Sequence, residues 1–177
     1  MASVHERLYR FCPTCKTKLK RKLIDRRRLL FCSNCSFTFW NNPKPVTIVI
    51  LHDNGKILLL QRANKPLKNF WCLPGGYIDY EETPEEAIRR ETKEEAGFDV
   101  GIESLVGVYR IDNDPRGVNI DIIYEAELKG KILLSEEHHN YNLFAIEELP
   151  AKIAYKHREA INDWLKNKEQ GKQKFIP

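Results

Sequence analysis

The stretch GGYIDYEETPEEAIRRETKEEAGF, residues 75–98, decides how the rest of the chain is read. Its two glycines, Gly75 and Gly76, end an apolar, strand-like run of Trp71, Cys72, Leu73 and Pro74, and residues 84–96 carry the start and stop signals of one helix. Thr83 is placed to N-cap that helix. Pro84 takes the first helical position, where a missing N–H costs nothing, and Glu86 completes a Thr-x-x-Glu capping box. Gly97 supplies the left-handed residue that stops it.

Inside this helix Glu91, Glu94 and Glu95 stand at i, i+3 and i+4, so a turn of about 100° per residue brings all three to one side. Like charges at that spacing repel, and Arg90 alone cannot neutralise three carboxylates. Hard oxygen ligands at this density suit Mg²⁺ or Mn²⁺. A solvated, charge-laced helix is the plain alternative. Ala87, Ile88, Thr92 and Ala96 form a weakly apolar back for a core, which turns the acidic side outward or into a cleft.

From Gly76 the sequence runs Gly-x5-Glu82-x7-Arg90-Glu91-U-x-Glu94-Glu95-x-Gly97, where U is Thr92. This resembles the signature box of the Nudix hydrolases at every fixed polar position. Seven fixed residues, each of a type present at roughly 7%, would coincide by chance on the order of once in a million chains. The one departure is Thr92, where the family usually has an aliphatic residue, and Thr keeps the size of Val. The resemblance covers residues 45–165 and implies an α/β fold, an α/β/α sandwich with a mixed sheet. LLLQRA with Arg62, WCLPGG before the box and FAIEELP near the end agree with it.

With 177 residues and 42% hydrophobic content, the chain can hold one full domain and a small appendage. Its longest apolar runs, 46–51 and 57–60, are strand-length and far short of a membrane span. The N-terminal MASVHERLYR has no apolar core of a signal peptide, so a cytoplasmic location is expected. Four of the five cysteines form Cys12-Pro-Thr-Cys15 and Cys32-Ser-Asn-Cys35, two CxxC units with 16 residues between them. Each such turn presents two thiolates to one tetrahedral ion, and a hairpin between the turns brings them together. A four-cysteine zinc ribbon over residues 1–40 is therefore expected, with a redox CxxC as the alternative. Cys72 is expected to pack as a small apolar residue beside Trp71.

Charge is uneven along the chain. Residues 1–40 hold ten Lys and Arg against Glu6 and Asp25, a balance of +8, which leaves −4 for the remainder of a chain whose total is +4. A basic ribbon can steer a polyanion toward an acidic domain, or it can merely keep a ribbon with little interior soluble. Phe37, Phe39 and Trp40 either stack bases or, as favoured here, pack the ribbon onto its neighbour. Residues 41–45, with two prolines, read as a link between the domains 1–40 and 46–177.

Beyond the link, strands at 46–51 and 56–62 flank the turn Asp53-Asn54-Gly55. Residues 63–70 read as a polar loop and 112–117 as another. Strands are expected at 102–111, 119–128, 132–134 and 143–146, the second with Ile120, Ile122, Tyr124, Ala126 and Leu128 on its apolar face. An amphipathic helix over 151–168 should cover the sheet, with a frayed tail from Asn167.

The resemblance implies Mg²⁺- or Mn²⁺-dependent hydrolysis of a diphosphate joining a nucleoside to another moiety, such as ADP-ribose, NADH, NAD or FAD. It implies Glu91 and Glu95 as the main metal ligands, helped by Glu94 and the carbonyl of Gly75, with Glu82 as an outer metal or structural ligand. Arg90 is expected to orient carboxylates. Family members often draw their general base from a loop after the box, and Glu136 or Glu137 stands in such a loop. His138 and His139 are read as loop residues too. A zinc ribbon ahead of the domain resembles the NADH pyrophosphatases, although residues 100–117 lack their SQPW motif. Pro115 falls near the register of a proline in the family's ADP-ribose pyrophosphatases, and Pro115 and Arg62 are candidate substrate contacts. Competing readings are RNA-linked, either a decapping-type hydrolase or a nucleic-acid-binding ligand sensor that uses the basic ribbon. Family habit implies a homodimer.

Overall fold

The apolar run after the link forms β4 (Lys44–Asp53) and returns as β5 (Lys56–Arg62) through Asn54 and Gly55, both in the left-handed region that a tight hairpin needs. The computed structural model describes residues 9–171. Antiparallel pairing of the two strands is confined to the hairpin end, His52↔Ile57 and Asp53↔Lys56. Past that point they splay. A short β6 (Trp71–Cys72) pairs with β5, and β7 (Gly75–Tyr77) pairs with β4. Leu73 and Pro74 cross between the two, and the Val49 N–H donates to the Pro74 carbonyl at 3.0 Å.

On its other edge β4 runs parallel to β9 (Asn119–Glu127). With β8 (Ile102–Ile111) and β10 (His138–Ala145) the sheet order is β10-β5-β4-β9-β8, a mixed sheet. Helix α1 (Pro84–Ala96) starts with both capping-box bonds formed and stops at Gly97 with φ 84°. Its Ile88 joins Val49, Leu51, Leu58, Leu60 and Tyr124 in the core of one sheet face. Helix α2 (His157–Glu169) covers the other face, where Ala160, Ile161 and Trp164 meet Val46, Ile48, Ile50, Ile57, Leu59 and Ile123. The α/β/α layering expected from the sequence is the one observed. Among the described residues no helix is long and apolar enough to cross a membrane.

Ahead of this sheet, β1 (Lys20–Ile24), β2 (Arg27–Phe31) and β3 (Thr38–Phe39) make a small antiparallel sheet. Phe37 and Phe39 pack against Cys12, Leu19, Leu30 and Cys32, so these aromatics fill the ribbon's own core, contrary to the docking role expected of them. A ribbon this small has few other apolar side chains to bury. Trp40 stays 43% exposed beneath the Arg27 guanidinium.

Four further expectations need correction. The link is shorter than 41–45, because Lys44 and Pro45 already pair with Asn119 and Ile120. No strand forms at 132–134. That segment instead runs past the end of α1, where the N–H groups of Leu133 and Ser135 bond the carbonyls of Ala96 and Glu95 and so satisfy acceptors the helix cannot. His138 is not a loop residue; it opens β10, paired with Arg62, and is buried. The last helix starts at His157 rather than 151 because residues before it serve β6: Ile153 bridges Trp71, and the Ala154 N–H donates to the Trp71 carbonyl. The expected frayed tail begins in helix, which runs to Glu169, and its last residues, 172–177, lie outside the described region.

Thr83→Ala removes the side-chain acceptor for the Glu86 N–H. Urea denaturation should show a loss of about 1 kcal/mol, as for other N-cap deletions.

Candidate active site and metal centres

Residues 75–77 and helix α1 are fastened together by hydrogen bonds. The Gly75 N–H donates to a Glu95 oxygen at 2.8 Å, and Arg90 donates to the Tyr77 carbonyl at 3.0 Å. Gly75 has no room for a side chain, and one at Gly76 would make the Glu91 carboxylate move. A Cβ at Gly75 would lie 2.1 Å from the Thr47 carbonyl oxygen, and one at Gly76 would lie 2.4 Å from the Glu91 carboxylate. At the other end of the helix, Thr47 donates to the Pro84 carbonyl and Tyr124 to Glu85, which ties its first turn to the sheet.

Arg90 lies among the carboxylates of the box. Its guanidinium takes both oxygens of Glu82, at 2.6 and 2.9 Å, and bridges Glu91 at 2.9 Å and Glu94 at 3.2 Å. Glu82 is thereby a structural partner, and its carboxyl is held below the usual range by that hydrogen bond. Glu94 is 60% exposed. Burial pushes the Glu91 carboxyl up, against the pull of Arg90. Burial likewise pushes Glu95 up to about 8; the Gly75 N–H opposes this, while the charges of Glu91 and Glu137 add to it. His138 Nε2 lies 3.8 Å from Glu95, but burial holds the ring neutral, with its pKa lowered to about 4. A buried carboxylate facing two others, with no cation of its own, fits a divalent ion with oxygen ligands.

These residues face a cavity of about 360 Å³. Gly75, Gly76, Arg90, Glu91, Glu94 and Glu95 line it, as do Arg62 and Glu137. The Ala63 N–H bonds the Glu137 carbonyl at 2.8 Å, which holds Glu137 beside the end of β5. Glu136 is exposed and does not line the cavity. Pro115 is exposed and does not line it either; its neighbour Arg116 does.

A NUDIX domain model matches residues 42–165. The chain belongs to the Nudix family. It is a Nudix hydrolase, as its relatives and structural neighbours agree. An ADP-ribose pyrophosphatase of Methanocaldococcus jannaschii is 33% identical over 151 residues, covering 84% of this chain and 86% of the relative. The human NAD-capped RNA hydrolase NUDT12 is 37% identical over 101 residues, which cover 52% of this chain and 22% of that protein. Apart from the archaeal protein, the chain spans about half or less of the first curated relatives it matches. A crystal structure of a NUDIX hydrolase from Nitrosomonas europaea superposes with a TM-score of 0.81 at 25% identity, covering 95% of this chain and 97% of that one.

The second candidate metal centre of this Nudix protein is its cysteine cluster. Cys12, Cys15, Cys32 and Cys35 bring their sulfurs within 4.8 Å of one another, with closest approaches of 3.4 Å. All four thiols are free. Four sulfurs about 2.3 Å from a tetrahedral zinc would stand about 3.8 Å apart, so the cluster fits that ion. The two turns are alike. In each, the N–H four residues on bonds the first cysteine's carbonyl, and Lys16 and Ser36 adopt φ near 61° and 62°. Hydrogen bonding with Thr17 holds the Cys15 thiol down to about 5, whereas Cys35, despite a hydrogen bond with the Phe37 backbone, is pushed up to about 12 by Cys12 and Cys15.

No motif in the sequence points to several other residues of the Nudix cavity, among them Tyr77, Arg116, Asp121, Tyr155 and His157. Arg116 grips Asp114 and reaches the Tyr155 hydroxyl at 3.2 Å. Asp121 lies on the face of β9 opposite the apolar alternation, and Ile123 within that second face was the signal that it, too, is covered. Asp121 is 3% exposed, and burial, with a smaller contribution from Asp114, pushes its carboxyl up to about 7.

This shift has a consequence for stability. Between its unfolded value near 3.8 and about 7, the folded protein keeps a proton on Asp121 that the unfolded chain loses. The stability contributed by that proton is complete at low pH and lost as pH rises to about 7. Asp121→Asn removes this dependence. Relative to wild type it should gain roughly 1 kcal/mol per pH unit across that window and then level off. Urea titrations of the pair at several pH values measure the difference, in which the buried histidines common to both proteins cancel.

Proposed function

We propose that this Nudix hydrolase cleaves the diphosphate of a nucleoside diphosphate joined to a sugar, with ADP-ribose as the substrate that fits best. The observation that carries the reading is the composition of the cavity. A carboxylate set, Glu91, Glu94, Glu95 and Glu137, shares it with Arg62, Arg116 and the rings of Tyr77 and Tyr155 over an apolar floor of Val46, Ile48 and Ile111. Its volume of about 360 Å³ lies within the range of small-ligand sites. The likeness to an archaeal ADP-ribose pyrophosphatase along most of both chains supports the choice of substrate.

In this reading Glu91 and Glu95, with Glu94 and the Gly75 carbonyl, hold Mg²⁺ or Mn²⁺. A divalent cation there supplies neutralisation of the diphosphate oxygens and a water acidified toward hydroxide. Arg90 keeps Glu91 and Glu94 in place and does not touch substrate. Glu137 is the general base, since of the two loop acids it is the one that lines the cavity. Arg62 and Arg116 receive phosphate oxygens. The cysteine cluster holds a structural zinc and takes no part in the chemistry.

Hydrolysis of ADP-ribose, NADH, NAD, FAD, diadenosine polyphosphates, CoA and capped RNA in the presence of Mg²⁺ should give its highest kcat/KM with ADP-ribose, and Glu95→Gln should lower that value by more than about 100-fold. Undiminished turnover by Glu95→Gln would remove the carboxylate set from the mechanism. A second reading, action on an RNA-linked diphosphate, is favoured by the likeness to NUDT12 and by the exposed Lys20, Lys22, Arg26, Arg27 and Arg28 of the ribbon hairpin. It requires capped RNA to lead the panel and salt-sensitive RNA binding that vanishes when residues 1–40 are removed.

One zinc per chain is expected by atomic absorption. Cys12→Ser should release it and loosen the ribbon while most Mg²⁺-dependent turnover survives. A folded Cys12→Ser protein with no turnover would instead make the ribbon part of the active site.

A further inference from the structure

Three polar groups that line the cavity have no hydrogen-bond partner among the described residues. The Tyr77 hydroxyl and His157 Nε2 are buried without a hydrogen bond. The carboxyl of Asp121 accepts none from any described residue. Burying a polar group unpaired is costly, and His157 and Asp121 are only 2% and 3% exposed.

Their chemistry is defined by their surroundings. The Leu73 N–H donates to His157 Nδ1 at 3.0 Å, so in the neutral ring the proton sits on Nε2, which is a donor. Burial keeps that ring neutral, with its pKa lowered to about 3. Asp121 pairs in register with Val46 on β4, and Val46 pairs with Tyr77 on β7, so the three side chains share one sheet face, the face that α2 covers. Asp114 already takes Arg116 and Asn119. Its grip on Arg116 leaves Asp121 without a cation. A carboxyl with two open oxygens and a fixed N–H donor, lining the same cavity, complement a group that offers O–H donors and accepts one bond in return. Vicinal hydroxyls do this.

We propose that Asp121, with His157, seats the hydroxyls of a ribose of the substrate and makes this Nudix cavity selective for ribosyl over deoxyribosyl diphosphates. The inference rests on the diphosphatase reading above and adds to it the group recognised away from the phosphates. Neither residue stands in the signature box, and neither is asked to move a proton.

The test compares ADP-ribose with its two monodeoxy analogues, one lacking the 2-hydroxyl of the adenosine ribose and the other lacking that of the terminal ribose. Asp121→Asn should raise KM for ADP-ribose by about 10- to 100-fold and change kcat by less than about threefold, the size expected when a buried hydrogen-bonding group loses its partner. For one of the two analogues the penalty should be several-fold smaller than for ADP-ribose, because one of the hydroxyl contacts is already gone. Asp121→Ala must repeat the pattern, which guards against a defect particular to one replacement. Wild-type turnover with an unchanged KM in both variants overturns this inference and leaves the diphosphatase reading intact. An equal penalty on all three substrates also overturns it, since that marks general damage to the site. If the wild-type protein turns over none of the three, the diphosphatase reading falls and this inference falls with it.

Discussion

The hydrogen bond from the Gly75 N–H to the Glu95 carboxylate is the contact on which the site depends. It fixes the helix against the strand at the point where the acidic side of α1 meets the cavity. Two glycines in succession make it available. With φ at 139° and the Thr47 carbonyl oxygen 2.1 Å from where a Cβ would stand, Gly75 has no room for any other residue, and Gly76 leaves the space that Glu91 fills. Tyr77 extends the seam by offering its carbonyl to Arg90. Three consecutive backbone units therefore position three of the five charged residues of the box, which a helix held only by apolar packing could not do to within a hydrogen-bond length.

That seam exists because β4 and β5 part company. Their pairing stops two residue pairs beyond the turn, and β7 and β6 take the vacated edges. The splay leaves backbone N–H groups at the mouth of a cleft rather than inside a ladder, and it lets Leu73 and Pro74 cross the gap. The electrostatics follow from the same geometry. Glu95 is driven inward beside Glu91 and Glu137, and its neighbour His138 is buried and uncharged. A carboxylate in that position either stays protonated or awaits a cation from outside the chain. Arg90 does not answer the need, because Glu82 takes two of its donors and the Tyr77 carbonyl a third.

The parts of this arrangement that are local in sequence were legible there. Thr83, Pro84, Glu86 and Gly97 announce a helix with both ends, and the spacing of Glu91, Glu94 and Glu95 announces its acidic side. The cysteine turns were legible for the same reason, since each is a short segment with its own hydrogen bonds. What escaped reading depends on contacts between distant segments. The chain at 132–134 is apolar enough for a strand, but the open carbonyls at the end of α1 claim its N–H groups. His138 and His139 read as loop because adjacent histidines in a strand point to opposite faces, yet β5 offers His138 a ladder partner in Arg62. Asp121 and His157 are single residues whose meaning lies in what surrounds them, and no spacing rule marks either.

The orphaned polar groups carry the argument one step past the box. A folded protein leaves few buried donors and acceptors unpaired, and those it does leave need an explanation. Among the described residues, the unpaired atoms of His52, Thr92 and His138 lie outside the cavity, whereas the Tyr77 hydroxyl and His157 Nε2 belong to residues that line it, together with Asp121. Replacing Asp121 with Val would cost the fold nothing in hydrogen bonds and would remove a carboxyl that burial raises to about 7. A residue that weakens the empty protein and sits where a ligand would complete it is better explained by the complex than by the fold. In the proposed reading the carboxylate side of the cavity meets the diphosphate, and the orphaned side meets what the diphosphate carries.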